Sequence, residues 1–212
     1  MSRNKMDVLN YFKNGGIVVV LDDQDRENEG DLIMSAAHCT KEKIAFMIRH
    51  STGILCAAMN ETIAESLGLS RMVTENTDPH STAFTVTCDS IGAGTGVSAK
   101  DRCLTLKMLA DSKTTADQLR KPGHVFPLIA KNGLLKQRRG HTEATVQLCR
   151  TAGIHEVGVL CELMNDNGTM MTRKKCRLFA TMHGLPCLTI DELNNINTIV
   201  HLPIVPVTRE AA

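Results

Sequence analysis

Tryptophan is absent from the 212 residues, tyrosine occurs once, and aromatic residues make up only 3% of the chain. So little aromatic surface cannot build a series of base-stacking platforms, which argues against single-stranded nucleic acid as a partner. An excess of either charge is also missing: 24 Lys and Arg stand against 23 Asp and Glu, for a net charge of +1. Such a chain has no long-range field to attract a phosphate polymer or an anionic bilayer. No run of 18 apolar residues occurs, so no membrane-spanning helix is expected. The opening residues MSRNKMDVLNYFKNGG lack the apolar centre of a secretory signal. The eight cysteines, at 39, 56, 88, 103, 149, 161, 176 and 187, are nowhere closer than eleven residues. That spacing excludes CxxC and zinc-knuckle motifs. Without an export signal the thiols read as reduced core filler of a cytoplasmic protein.

Repeats, low-complexity tracts and Pro/Gly/Ser-rich linkers are missing as well, so one domain over 1–212 is expected. Hydrophobic patterning predicts alternating helices and strands. A short helix over 5–13 stops at Gly15-Gly16, and strands follow at 17–21 and 32–37. Thr40 caps a helix over 41–50, and 54–59 returns as a strand. Thr82 to Cys88 reads as a strand, GAGTG (92–96) as a turn, and Ser98 with Asp101 as a capping box opening a helix to about Ala110. Thr115 and Gln118 repeat the capping-box pattern. Pro122-Gly123 reads as a turn before a strand over 124–130. Thr142 to Ala152 is predicted as an amphipathic helix ended by Gly153, and 157–164 as the most buried strand. A basic helix over 173–183, a strand over 185–190, a short helix from Asp191 and an extended edge segment over 200–207 complete the chain. The fold class expected is α+β, layered, with a mixed β-sheet and helices packed around it.

Two stretches carry chemistry. LDDQDRENEGDLIM (21–34) places six carboxylates within the ten residues Asp22 to Asp31, between two candidate core strands. A solvated acidic turn with Gly30 at its end is the plain reading, but so many like charges beside a core need compensation. An EF-hand is excluded: counted from Asp25, position six is Gly30 but position twelve is Ala36. Mg²⁺ fits, because it takes one or two carboxylates and keeps water for a substrate. Arg26 could offset part of the charge or fork onto a phosphate. The second stretch is RRGHTE (138–143), at the start of a predicted helix. Helix N-termini favour anions, Arg138 and Arg139 add charge-assisted donors, and His141 offers a second type of metal ligand. Outside these, His124 opens a strand after a Pro-Gly pair, and Glu162 interrupts the apolar run VGVLCELM. Buried there, Glu162 would have a pKa raised toward a range useful for proton transfer. A solvated strand face is the alternative.

DDQDRENEGDLIM, TGVSAKDR, GHVFPL, RRGHTEA and CELMNDNGTM, in this order and spacing, resemble the 3,4-dihydroxy-2-butanone 4-phosphate synthases of riboflavin biosynthesis over about residues 5–195. The resemblance implies a lyase that splits D-ribulose 5-phosphate into formate and L-3,4-dihydroxy-2-butanone 4-phosphate. The route implied runs through an enediolate and a skeletal rearrangement, with Mg²⁺ or Mn²⁺ as cofactor. It further implies a homodimer with active sites near the subunit interface. Carried over by position, Glu27 and His141 would bind metal. Arg26, Asp31 and Arg138, Arg139, Gly140, His141 and Thr142 would contact the sugar phosphate. His124 and Glu162 would be catalytic, and Glu29 and Cys56 would line the pocket. Three departures stand out: Gln24 for an acid, Ile129 where Arg is common after HVFPL, and a turn, GAGTG, in which Thr95 is the remaining hydroxyl. A second, GTP cyclohydrolase II domain as in some relatives is not expected in these 212 residues.

Three other readings are weaker. A non-catalytic relative would have lost Glu27, His141, His124 or Glu162, and all four are present. A Mg²⁺-dependent isomerase or aldolase would be distinguished by its product. Nucleic-acid binding through Arg173-Lys174-Lys175 has no wider basic field behind it.

Overall fold

Val18–Leu21 form strand β1, a run with no polar residue whose four side chains are all buried. A strand buried on both sides is the interior of a layered sheet, and helices cover it on each face. The computed structural model describes residues 5–196. The segment expected at 200–207 lies outside the described residues. In chain order the helices are α1 (Lys5–Lys13), α2 (Lys41–His50), α3 (Glu61–Ser66), α4 (Ala99–Leu109), α5 (His141–Thr151), α6 (Arg173–Met182) and α7 (Ile190–Asn194). The remaining strands are β2 (Gly30–Ser35), β3 (Cys56–Met59), β4 (Cys88–Ser90), β5 (Leu119–Ile129), β6 (Val157–Glu162) and β7 (Cys187–Thr189). Their order across the sheet is β4-β5-β3-β6-β2-β1-β7. The pairs β3–β5 and β1–β7 are parallel and the rest antiparallel, so the sheet is mixed, as expected.

Strand alternation sorts the side chains between two cores. Val19, Leu21, Leu32, Met34, Ala57, Met59, Val157 and Val159 point to one face, where Ile44 and Met47 of α2, Leu106 of α4 and Phe179 of α6 join them. Val18, Val20, Ile33, Ala58, Leu128 and Leu160 point to the other, against α1, α5 and α7. The same alternation puts Asp31, Cys56 and Glu162 on the α5 face.

Local signals account for many boundaries. Thr40 accepts from the Lys43 amide and Ser98 from the Asp101 amide, each satisfying a helix N–H. Four expectations change. The strand expected over 82–88 is reduced to single bridges at Phe84 and Thr85, and β4 starts at Cys88. Its neighbour β5 carries Pro122 and Pro127, which have no N–H to donate, so a continuous ladder cannot form. Pro122-Gly123 is not a turn but lies inside β5, where the register with β4 shifts between Cys88 and Asp89. Glycine is required there: a Cβ at 123 would stand 2.0 Å from the Cys88 carbonyl carbon. The second strand ends at Ser35 and passes into a single 3-10 turn, Ala36–His38, rather than running to 37. Finally, α5 is not a half-exposed amphipathic helix. Every residue from His141 to Cys149 is buried, because α5 packs on β3 and β6 with α1 and α7 over it.

Candidate active site

The N-terminus of α5, the end of β6 and the turn from β1 to β2 meet at one edge of the α5 face. Register places Asp31 of β2 directly opposite Glu162 of β6. Two carboxylates across adjacent strands repel each other, so this pair is a local cost. Burial and then Glu162 push the Asp31 pKa well above its ordinary value. Burial and then Glu27 raise Glu162, and burial and then Glu162 raise Glu29. A cavity of about 340 Å³ opens beside them. Arg26, Glu27, Asp31, Cys56, Arg138, His141, Thr142 and Glu162 are on its wall, together with Ile54, Asp78, Thr82, Phe84, Leu128, Leu160 and Cys161. Its size lies in the range of small-molecule sites.

His141 begins α5 and is buried. Its Nε2 stands 3.1 Å from the Val20 carbonyl oxygen. A carbonyl only accepts, so Nε2 carries the hydrogen and Nδ1 keeps a lone pair. Burial lowers the His141 pKa, against the pull of Asp22 and Glu27, which favours this neutral ring. Nδ1 in turn faces Asp31 Oδ1 at 3.2 Å, yet that oxygen is buried with no hydrogen-bond donor. Two lone pairs at this distance need a proton or a cation between or beside them. With the Glu27 carboxylate on the same wall, the donor set fits a hard divalent ion held by few protein ligands. Among the described residues no three such side chains already converge as a cage.

The same cavity carries a fixed cation. Arg138 Nη1 donates to Glu143 at 2.6 Å, Nη2 to Thr82 Oγ1 at 3.0 Å, and Nε to the His80 carbonyl at 2.9 Å. That fixes the guanidinium plane and leaves one N–H on each terminal nitrogen for a ligand. Gly140 is the N-cap of α5, so the amides behind it are unpaired helix donors. A fixed Arg fork beside a helix N-terminus suits an anion such as phosphate.

The acidic loop divides. Asp22 is fully buried and accepts from Arg26 Nη1 at 2.8 Å and from the Glu27 amide at 3.1 Å. Asp23 takes a fork from Arg139, at 2.7 and 3.1 Å, and this bond lowers its pKa. Arg173 of α6 donates to the Asp22 carbonyl. Two of the six carboxylates, Asp22 and Asp23, thus pin the loop, and Glu27, Glu29 and Asp31 are left toward the cavity side. Arg139 was expected at the sugar phosphate. The structure places it outside the cavity, clamped between Asp23 and Asp191. Gly140 and Glu29 are near the cavity but not on its wall.

His124 and Thr95 are not on that wall either. His124 Nδ1 lies 2.7 Å from Asp89 Oδ2, and its amide donates to Asp89 Oδ1 at 2.9 Å. Asp89 is buried while the His124 side chain is 48% exposed. Gly96 of the GAGTG turn packs on this dyad, with no space for a Cβ. Asp89, Glu143, Thr82 and His80, whose Nε2 is 3.5 Å from Glu27 Oε1, are residues that sequence reasoning missed. Glu143 had a usable signal: a carboxylate in a run of small and apolar helix residues, five positions from Arg138.

The family model described as 3,4-dihydroxy-2-butanone 4-phosphate synthase matches residues 6–196 of this chain. A Candida albicans protein of that name is 47% identical over 189 residues, which cover 88% of this chain and 93% of that one. The riboflavin biosynthesis protein RibBA of Bacillus subtilis is 44% identical over 92% of this chain, which spans 50% of that longer protein. A solved 3,4-dihydroxy-2-butanone 4-phosphate synthase in complex with two magnesium ions superposes with a TM-score of 0.90 at 42% identity, over 93% of this chain and 98% of the other.

Proposed function

The chain belongs to the 3,4-dihydroxy-2-butanone 4-phosphate synthase family, and from that premise we propose how its residues divide the work. The activity is that of a carbon–carbon lyase of riboflavin biosynthesis, converting D-ribulose 5-phosphate to L-3,4-dihydroxy-2-butanone 4-phosphate and formate. The observation that carries the residue assignment is a single cavity that joins a fixed Arg138 fork and the α5 N-terminus to Glu27, Asp31, Glu162 and His141.

The phosphate sits on Arg138 and the N-terminal amides of α5, with the Thr142 hydroxyl beside them. The sugar then lies across the carboxylate wall. Glu27 and His141 would hold Mg²⁺, and the ion would supply the positive charge that acidifies a C–H beside a carbonyl. Arg26, bonded to Glu27 at 2.8 Å, keeps that carboxylate turned into the cavity. Asp31 and Glu162 present the oxygens nearest to the sugar hydroxyls. Glu162 and His124 carry the proton transfers: one removes the carbon-bound proton, the other protonates the departing C1 hydroxyl. Cys56 and Leu128 add apolar surface to the cavity lining. The Asp89 carboxylate fixes the His124 ring and its tautomer, leaving Nε2 to move the proton.

His124 does not reach the cavity of its own chain, and its surroundings suggest the completing element. Ile54, Ile91, Val97 and Leu104 are all exposed. They lie around the same turn: Gly92 approaches Leu104, and Arg102 of α4 bonds the Gly53 carbonyl beside Ile54. A second copy of the chain docked there would cover these side chains and bring each His124 to the other copy's cavity. Subunit mixing tests this. His124→Ala and Glu27→Gln proteins, each inactive, should regain activity when mixed, because one hybrid site holds both intact residues. Mixing that restores nothing, with hybrid dimers demonstrated, would return His124 to its own chain. Residues 1–212 form one synthase domain in this proposal, a view supported by a single sheet running from β1 to β7. A cytoplasmic site of action is supported by eight cysteines with no disulfide among the described residues.

The test of the reaction is carbon NMR of ribulose 5-phosphate with purified protein and either Mg²⁺ or EDTA. Formate and a four-carbon phosphate formed only with metal are expected. Unchanged substrate with folded protein would overturn the reading, and a five-carbon product would replace it with an isomerase.

A further inference from the structure

Cys39 and Cys103 stand apart from the active site and touch each other. Cys39 follows the 3-10 turn after β2, and Cys103 lies on α4, which packs against that turn. Their sulfurs are 3.4 Å apart, and the Cys39 thiol also approaches the Cys103 carbonyl at 3.5 Å. The Cα frame is set by a 3-10 turn seated on a helix, so the two side chains meet without any loop rearrangement. We propose that Cys39 and Cys103 are a disulfide-forming pair, closed by a peroxide and reopened by a dithiol reductant.

The chemistry balances. Peroxide oxidises one thiol, at Cys103 because it is 7% exposed and Cys39 is fully buried, giving a sulfenic acid and one water. The Cys39 sulfur attacks that sulfur, the S–S bond forms and the S–O bond breaks, and the displaced hydroxide leaves with the Cys39 proton as a second water. Two thiols and one peroxide thus give one disulfide and two waters. Closure shortens the contact from 3.4 Å to about 2.05 Å, a movement within reach of the two side-chain torsions and a slight shift of α4. Burial and the neighbouring Cys103 raise the Cys39 pKa, so Cys39 remains a thiol until it gives up its proton in the attack.

The cross-link would join residues 64 positions apart. It would also fasten the helix that organises one rim of the active site. Asp101 of α4 accepts from the Gly94 and Gly96 amides of the GAGTG turn, and Arg102 holds the Gly53 carbonyl beside Ile54. Cys56 and Cys187 are less buried, but the sulfur–sulfur hydrogen-bond contact found among the described residues is the one between Cys39 and Cys103. Exposure alone would therefore select the wrong cysteines.

The experiment is hydrogen peroxide treatment of the folded protein, alkylation of remaining thiols, and non-reducing peptide mass spectrometry. A peptide pair joined through Cys39 and Cys103 is expected. It should be abolished in Cys39→Ala and in Cys103→Ala, and reversed by dithiothreitol. The oxidised wild type should also melt roughly 5–10 °C higher than the reduced protein, and neither alanine variant should show that rise. Sulfinic acid at either residue without the link would overturn the proposal. So would a link between other cysteines, or one that forms only after denaturant is added. Because the peptide map is read on the wild-type protein, the result does not depend on the variants folding.

Discussion

Replacing Glu143 by Gln tests the cationic wall at the place where nothing touches the substrate. The Glu143 side chain is 1% exposed. One carboxylate oxygen accepts from Arg138 Nη1 at 2.6 Å and the other from the Lys131 amide at 3.0 Å. A carboxylate can serve two donors because both of its oxygens accept, whereas an amide offers one oxygen and one NH2. Whichever way the substituted side chain turns, its NH2 must face either the guanidinium or the Lys131 N–H. One buried donor is then orphaned at about 1–3 kcal/mol, and the remaining bond to Arg138 loses its charged acceptor. Arg138 keeps the Thr82 hydroxyl and the His80 carbonyl, so the loss stays below the ~3–5 kcal/mol of a broken, fully buried ion pair. We expect a stability loss of about 2–3 kcal/mol, read as a Tm drop of roughly 4–10 °C. The freed guanidinium would also hold phosphate less well, raising KM for ribulose 5-phosphate about tenfold, or ~1.4 kcal/mol, with kcat changed far less. Thermal melts and initial-rate kinetics on the same preparation decide it. Wild-type Tm and KM in Glu143→Gln would refute the claim that this carboxylate positions Arg138. A fall in kcat with KM unchanged would move Glu143 into the reaction itself.

Three further outcomes follow from the same geometry. Glu27→Gln should abolish turnover and weaken Mg²⁺ binding in calorimetry while leaving Tm close to wild type, since Glu27 is part-exposed; substantial retained activity would sink the metal assignment. Arg139→Ala should make the fold more acid-sensitive. The Asp23 pKa is held below its ordinary value of 3.8, first by the Arg139 hydrogen bond, so its contribution is full above that value and lost as pH falls through the folded one. Without Arg139 the acid-unfolding midpoint should move to higher pH, and an unmoved midpoint would show that the clamp adds nothing. Gly123→Ala should fail to give folded protein, because its Cβ would stand 2.0 Å from the Cys88 carbonyl carbon. A soluble variant with wild-type circular dichroism would mean that the β4–β5 bulge can relax.

Local signals in the sequence carried the capped helices and the buried strands, because a cap or an apolar run acts over a few residues. Thr40 and Ser98 cap where their side chains suggest, and Val18–Leu21 is a strand of the kind its composition implies. What depended on distant pairing was not legible. Pro122-Gly123 has the composition of a turn, and only the bulge opposite Cys88 lets it continue a strand. Helix α5 has polar residues at intervals that mimic a wet face. Some are met across the fold, as the Val20 carbonyl meets His141, and others by the segment just before the helix, as Arg138 and the Lys131 amide meet Glu143. The Asp89–His124 dyad joins residues 35 positions apart, and neither residue's neighbours announce the other.

The acidic turn shows why residue type alone could not divide its roles. Six carboxylates between two core strands imply compensating charge, and a single bound ion is the economical inference from sequence. The structure supplies several compensators. Arg26, Arg139 and Arg173 meet the first part of the turn, at Asp22 and Asp23. Those bonds hold the turn in place without metal. The later part, Glu27, Glu29 and Asp31, keeps less cationic contact and faces Glu162 and His141 instead, and the Asp31 and Glu162 carboxyls are raised. A chain that neutralised all six with its own arginines would have a stable turn and no site. Leaving Asp31 Oδ1 unpartnered opposite the bare Nδ1 of His141 costs stability, and a bound cation would remove that cost. The turn is therefore anchored at Asp22 and Asp23 so that Asp31 can stay unsatisfied.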